Sequence, residues 1–214
     1  MAQVQCIANS TASATSLAFS PSSTTAGNGL VAVMWLGVDA SLDTGNLPAN
    51  WTSRLNTGQL AIVDYMNNSG GITSVTFNFT SATAVVCFLM ERDDIDLYDT
   101  SAHLDNGTVT SWTSGNTGTT AYTDEIAIGF AGSFTGNPLN YVAGASWTAV
   151  TGTNITAGEH AGAGGNAGFC ETRTLSGTGA YAATGTVDSS YQYALIATYR
   201  VKSLAGTSIA WVTA

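Results

Sequence analysis

The sequence predicts an all-β protein built as an antiparallel two-sheet sandwich with long loops and no substantial helix. Strand-length runs of apolar or alternating residues recur at roughly 8- to 14-residue intervals, a spacing typical of sandwiches and barrels. Clusters of Gly, Asn and Ser, which favour turns, separate these runs. No long window carries the i, i+3, i+4, i+7 repeat of an amphipathic helix.

The first third of the chain contains four predicted strands. Residues 2–8 alternate apolar and polar side chains, and a Ser/Thr-rich turn precedes a short strand at 16–19 that ends at Pro21. The continuous apolar run 30–36 lies between two glycines, as expected for a strand that is covered on both faces. A further strand is predicted at 58–66, before a turn rich in Asn and Gly.

The stretch 74–99 joins the clearest strand pattern to the densest charge. Three large apolar residues alternate with polar ones at 75–80, and an apolar run follows Ser81 at 82–90, so this part is expected to form a core hairpin. An acidic loop at the rim of the sandwich is predicted next, with Arg92 as its only basic residue. Its carboxylates belong to Glu91, Asp93, Asp94, Asp96 and Asp99.

The second half contains two long polar stretches that we expect to be loops, at 100–123 and 151–168. Strands are predicted around them at 125–131, 141–149, 167–173 and 191–201. Residues 1–202 are therefore expected to form a single sandwich domain. The mildly apolar tail 203–214 is expected to pack on this subunit or on a neighbour. No internal repeat of fixed period is apparent.

The charge of the chain excludes two classes of partner. Five basic residues stand against 14 acidic ones, for a net charge of −9. Nucleic-acid binding and attraction to anionic membranes both need clustered Lys and Arg, which the sequence lacks. Only 9% of residues are charged, so the surface must consist largely of Thr, Ser, Asn and Gly. Such a surface carries little repulsion between copies and favours self-association.

The first residues show no basic segment followed by an apolar one, so no secretory signal peptide is expected. Three cysteines are far apart and form no CxxC pair, which predicts free thiols rather than a metal or redox site: Cys6, Cys87 and Cys170. No cofactor motif is present, and the Gly-rich segment 162–168 is not a phosphate-binding loop because no lysine follows it.

The acidic segment has three interpretations. Glu91 and Asp93 would project from one face of a continuing strand about 7 Å apart, a spacing that glycoside hydrolases on sandwich folds use. Calcium could instead bind oxygen ligands from Asp93, Asp94, Asp96 or Asp99. The third interpretation, a solvated or interface loop without chemistry, is the one we favour.

The remaining candidates are histidines and tryptophans. His103 and the pair Glu159–His160 lie in predicted loops without a partner at metal-ligand spacing, so ordinary loop roles are expected for them. Trp112 sits in a polar stretch where only a glycan or a partner subunit would cover it, and Trp211 lies in the tail. Both are candidate contacts with a partner or a glycan.

The chain resembles the jelly-roll virion proteins of tailed phages, known as minor capsid, head-decoration or minor tail proteins. The resemblance covers most of residues 2–202 as an ordered succession of loose motifs. At the usual Pro-x-Gly-Trp turn this chain has Pro48-Ala49-Asn50-Trp51. The other segments are GNGLVAVMWLGV at 27–38, GQLAIVDYM at 58–66, VTFNFTSATAVVCFLME at 75–91 and YALIATYRV at 193–201.

The resemblance implies a jelly-roll sandwich of eight to twelve strands that assembles on a virion and is not an enzyme. The expected partners are the major capsid protein or other virion proteins and further copies of the chain. A position on the capsid exterior is favoured, because an acidic surface is poorly suited to packaged DNA. A minor tail protein remains an alternative. So does a carbohydrate-binding module or glycoside hydrolase that uses the segment 91–99 and binds a host glycan.

Overall fold

The structure, a computed structural model, describes residues 3–134 and 139–203. They form two antiparallel sheets packed face to face, so the predicted all-β sandwich is confirmed. The only helical elements described are two 3₁₀ turns, at Thr44–Asn46 and Ala163–Gly165. In the described part of the chain no helix is long and apolar enough to span a membrane. Jelly-roll connectivity stays a prediction, as does the single domain 1–202.

The N-terminal half of the chain forms the first sheet. Its strands lie in the order β1-β5-β2-β4-β3, and every neighbouring pair is antiparallel. Their bounds are β1 Gln3–Phe19, β2 Gly29–Leu36, β3 Thr52–Asn56, β4 Leu60–Tyr65 and β5 Val75–Arg92.

The C-terminal half forms the second sheet, in the order β10-β11-β7-β12-β6. Two very short strands join it from outside this path, β8 beside β12 and β9 beside β11. The bounds are β6 Ile95–Thr113, β7 Asp124–Ser133, β8 Val142–Ala143, β9 Thr148–Ala149, β10 Glu159–Ala161, β11 Ala167–Ser176 and β12 Thr184–Val201.

The two halves share one topology. When β8 and β9 are set aside, each sheet reads first, last, second, fourth and third strand of its own half. The second strands also match in sequence on the face that meets the other sheet. Val31, Val33, Trp35 and Gly37 in and after β2 correspond to Ile126, Ile128, Phe130 and Gly132 in β7. The two halves therefore repeat one strand order, with connections of unequal length between the strands.

The β1/β5 pair bends back over its own sheet. Asn9 Nδ2 donates to the Ala18 carbonyl over 2.8 Å, although nine extended residues would separate them by about 30 Å. Register shifts between Thr11 and Ser16 mark the bend. The predicted Ser/Thr turn and the predicted hairpin at Ser81 are thus wrong. Polar residues bend two continuous strands there. Both parts of β5 pair with β1, so β5 does not fold back on itself as a hairpin.

The β6/β12 pair bends in the same way. Asn106 Nδ2 donates to the Thr113 carbonyl, and Asn106 Oδ1 accepts from the Thr113 amide, both at 3.0 Å. The predicted loop 100–123 is therefore wrong for its first part, which belongs to β6. The prediction failed because most side chains of β6 are polar and at least partly exposed, as in a loop, although the backbone of the strand pairs with β12.

Three apolar clusters hold these layers together. The first lies between the sheets and includes Val33, Phe88 and Phe130. The second covers the outer face of the first sheet, where Phe77 from the bent strand packs edge-to-face on Trp51 with ring centroids 5.1 Å apart. The third covers the second sheet.

The third cluster corrects the prediction of a strand over 141–149. Only β8 and β9 are strands there. Tyr141 instead stacks on Phe169 with ring centroids 5.3 Å apart, and Trp147 is buried in the same cluster. The alternating aromatics of this segment cover the sheet rather than extend it.

The three cysteines are free and buried, as expected. Burial raises the pKa of each thiol, so the neutral form is favoured and the thiolate needed for metal binding or redox exchange is suppressed. They act as small apolar core residues.

Candidate functional site

The acidic segment 91–99 is not a loop. β5 of the first sheet ends at Arg92 and β6 of the second begins at Ile95, so the chain crosses from one sheet to the other through Asp93 and Asp94. Glu91 lies in β5, and Asp96 and Asp99 lie in β6. The expected rim loop is thus a two-residue crossover whose neighbours are held in strands.

Glu91 is a structural carboxylate. Its side chain is buried, with 2% of the residue exposed. Oε1 accepts hydrogen bonds from the Thr25 amide and Asn28 Nδ2, both at 2.7 Å, and Oε2 accepts from Gln5 Nε2 at 2.6 Å. Three donors thus fix the carboxylate between β5, β1 and the connection 20–28. A general acid must reach a substrate, and this carboxylate instead joins three backbone segments.

Two of the acidic residues form bidentate ion pairs. Arg92 Nε and Nη2 donate to Asp94 Oδ1 and Oδ2 at 2.9 and 2.8 Å, and both residues are buried. Arg200 binds Asp96 with the same geometry and distances. These pairs fasten the crossover and join β6 to β12. Planar guanidinium groups suit this fork-to-fork contact.

The predicted calcium ligands are not assembled as a set. Asp94 and Asp96 face guanidinium groups, and Asp99 Oδ2 accepts from the Ala121 amide at 2.8 Å. A calcium ion takes six to eight oxygen ligands at short distance. Within residues 3–134 and 139–203, no group of three or more His, Cys, Asp or Glu is placed to hold a metal ion.

The Arg92–Asp94 pair lines a groove between the edges of the two sheets, of about 670 Å³. Gln3 of β1 stands on the side of the first sheet, and Thr172, Arg173 and Thr174 of β11 stand on the other. Buried Ile126 is part of its lining. Sequence reasoning missed this arrangement, because β1, β5 and β11 come together only through the packing of the sheets.

A second cleft, of about 860 Å³, contains the pair Glu159–His160. Glu159 accepts hydrogen bonds from the Leu139 amide at 2.7 Å and the Tyr141 amide at 3.3 Å. It therefore fixes the backbone that precedes β8. Three of the residues lining this cleft have positive φ: Asn140, Asn154 and Ala157.

His160 links β1 to the segment 151–166. Its Nδ1 lies 2.8 Å from the Asn154 carbonyl, which can only accept, so Nδ1 carries the proton. In the neutral ring, Nε2 then accepts from the Ser10 hydroxyl at 3.0 Å. Ser10 Oγ also accepts from the Ala163 amide at 3.0 Å. The sequence could not reveal this pair, whose members are 150 positions apart.

The Ser10–His160 contact resembles a nucleophile with its base, but its surroundings favour a clamp. Ser10 does not line the cleft that His160 faces. Its oxygen is held by an amide on the other side. The Thr153 and Ala8 backbones are also hydrogen-bonded nearby, which fastens the segment 151–166 along the open edge of β1.

Replacing His160 with alanine is expected to loosen this segment. Two side-chain hydrogen bonds would be lost, which should lower the unfolding free energy by about 1–3 kcal/mol. Hydrogen exchange should show faster amide exchange at Ala163 and Thr153, with the amides of β2 unchanged. His103→Ala, at an exposed position on β6, serves as control. Equal exchange in both variants would contradict the clamp.

Trp112 is buried, contrary to the expectation that only a glycan or a partner would cover it. It lies at the end of β6 with 2% of the residue exposed, and its ring packs edge-to-face on Phe169 at 6.1 Å. The bend in the β6/β12 pair carries it under the outer layer. Its ring is therefore not available for stacking on a glycan or a partner. Trp211 and residues 204–214 of the tail lie outside the described residues.

Two buried glutamates on the outer face of the second sheet escaped the sequence reasoning. Glu171 is fully buried, and Oε2 accepts from the Gly144 amide at 3.2 Å. Burial raises its pKa to about 8. Glu125 is also fully buried, and burial and then the neighbouring Asp99 carboxyl raise its pKa to about 7. The signal available in the sequence was a glutamate at a position that the strand alternation places on a buried face.

Comparison of the chain with known protein families, with characterised proteins and with solved structures finds no match. The class that the fold defines is an all-β, two-sheet sandwich whose halves share one strand order.

Proposed function

We propose that the chain is a non-enzymatic structural protein of a tailed-phage particle. In this proposal it is a head-decoration or minor capsid protein that binds the capsid exterior and self-associates. One observation carries the proposal: the acidic side chains that offered chemistry are held by structural partners. Glu91 accepts three hydrogen bonds, and Asp94 and Asp96 each form a bidentate ion pair with an arginine.

The surface supports the same proposal. Because so few residues are charged, and because several charges are paired internally, hydroxyl and amide groups dominate what the molecule presents. Such a surface packs against protein neighbours without a large desolvation penalty for charge. The resemblance of the strand succession to virion proteins of tailed phages adds support.

The capsid exterior fits the charge better than the interior. A net charge of −9 would repel packaged DNA, whereas the outside of a head imposes no such requirement. A minor tail protein satisfies the same condition and is the nearest alternative. The neighbouring genes would distinguish a head cassette from a tail cassette.

A binding assay tests the proposal. Purified protein should associate with itself in sedimentation velocity and should cosediment with heads of the phage whose genome encodes it. Heads and tails, separated beforehand, should be tested in parallel. A protein that stays monomeric and binds neither particle would refute the proposal, and binding to tails alone would favour the tail alternative.

A carbohydrate-active protein centred on Glu91, Asp93 and Trp112 has less support. Glu91 and Trp112 are both buried, so neither presents a reactive or stacking group to a polysaccharide. Polysaccharide hydrolysis that disappears in Glu91→Gln, while the variant remains folded, would reverse this preference.

A further inference from the structure

The basic side chains are distributed unevenly between internal pairs and open surface. All five lie in the described part of the chain. Three arginines pair with carboxylates, as Arg54–Asp64, Arg92–Asp94 and Arg200–Asp96. Lys202 Nζ donates to the Gly27 carbonyl at 2.6 Å. Arg173 differs from these four.

Arg173 forms no ion pair within residues 3–134 and 139–203. Its guanidinium carbon lies 5.8 Å from the centre of the Tyr181 ring, a contact that leaves the N–H groups free to donate sideways. An arginine that is not satisfied by a carboxylate keeps its fork of donors for a ligand.

Arg173 stands on the wall of the groove between the two sheet edges. On β11, pairing with β9 stops at Thr172, so the strand edge beyond this residue is open. The facing wall carries Gln3, whose Nε2 donates to the Thr151 carbonyl at 2.5 Å and so fixes that side. Residues with hydroxyl side chains complete the lining: Ser146, Thr148, Thr151, Thr172 and Thr174. Thr172 and Thr174 lie on the opposite face of β11 from Arg173, so a ligand would reach both faces only across the open strand edge.

The local charge of this groove is opposite to that of the molecule. Two of the five basic residues, Arg92 and Arg173, line it, and among the described residues Asp94 is the only acidic one in its lining. The bidentate contact with Arg92 neutralises Asp94. One positive charge, on Arg173, therefore remains among neutral hydrogen-bonding groups.

We propose that this groove binds a polyhydroxylated ligand bearing an oxyanion, a carboxylate or a phosphate, with Arg173 as its bidentate anchor. The guanidinium of Arg173 matches two oxygens of such a group, and the threonine hydroxyls match hydroxyls of the ligand. Sugar acids and polyol phosphates share this chemistry. The proposal does not depend on a role in a phage particle.

An NMR titration tests the site. Glucuronate and glycerol 1-phosphate are the two anionic probes, and glucose and glycerol are their neutral controls. Either anion should shift the amide signals of Thr172, Arg173 and Thr174 and the Arg173 Nε–H signal, with a dissociation constant in the millimolar range. Higher ionic strength should weaken binding, because the groove is open to solvent.

Two variants separate the anchor from a general charge effect. Arg173→Gln should weaken binding at least about tenfold, which corresponds to about 1.4 kcal/mol. Lys202→Gln removes the same charge elsewhere and should bind as the wild type does. Amide spectra establish that each variant is folded.

Each outcome of the NMR titration either supports the Arg173 site or overturns it. Anion-induced shifts in the groove that disappear in Arg173→Gln support the site, and the probe that produces them identifies the carboxylate or the phosphate. Absence of shifts with both anions overturns the proposal. So does an equal response to glucose, or a response that Arg173→Gln leaves intact.

Discussion

Replacing Glu91 with glutamine is expected to lower the unfolding free energy by about 3 kcal/mol. All three groups that contact the carboxylate are donors: the Thr25 amide, Asn28 Nδ2 and Gln5 Nε2. A glutamine amide offers one acceptor, so its NH₂ group would face a donor in a buried site. Hydrogen bonds to charged groups contribute about 1.5–3 kcal/mol each, and an unsatisfied buried group adds its desolvation penalty.

The neighbouring contacts prevent a simple repair of Glu91→Gln. Rotating the Gln5 amide would supply an acceptor, but it would break both hydrogen bonds between Gln5 and the Ser22 backbone, each 3.0 Å long. Urea unfolding measures the change. Asp39→Asn makes the same chemical substitution at an exposed position whose φ of 64° suits asparagine, and it should be nearly neutral. Equal stability of the two variants would show that Glu91 is not a structural anchor.

Stability is expected to fall as pH rises from about 4.5 to about 8, and Glu171 should be the main cause. Burial raises its pKa from 4.5 to about 8, and no basic side chain pairs with it in the described part of the chain. The folded state therefore binds a proton that the unfolded state releases. The stabilisation is complete below pH 4.5 and is lost as pH passes through 8. Over the whole window the loss from this residue is about 5 kcal/mol.

Glu171→Gln should flatten this dependence. The amide keeps an acceptor for the Gly144 amide, 3.2 Å away in the wild type, but it cannot ionise. Unfolding free energies of both proteins between pH 5 and 9 measure the difference. Some slope should remain, because the pKa of Glu125 is also raised, to about 7. The exposed substitution Asp124→Asn is the control. A variant with the wild-type slope would assign the pH dependence to another group.

Strand prediction succeeded where burial alone decides the pattern. The run in β2 and the alternation in β12 bury apolar residues on defined faces, and the period of two makes them readable without a partner. The same rule failed at Ser81 and at 100–113. A bend within a paired ribbon uses the same polar residues as a chain reversal, so composition alone does not separate them.

The candidate site shows the same division. Acidic density between 91 and 99 was visible in the sequence, but the partners of those carboxylates were not. Asp96 and Arg200 are 104 positions apart, and Glu91 and Asn28 are 63 apart. Ion pairs of this kind depend on register and sheet packing. The free charge of Arg173 could be recognised only after every other basic residue had been assigned a partner.

The sequence by itself determined the fold class, the low and negative charge, the free thiols and the placement of most strands. Periodicity and composition act locally, so a single chain contains that information. The tertiary structure alone decided the shared strand order of the two halves, the bends that bury Phe77 and Trp112, and the structural roles of Glu91, Asp94 and Asp96. Each of these depends on side chains that are distant in sequence and meet only when the two sheets pack together.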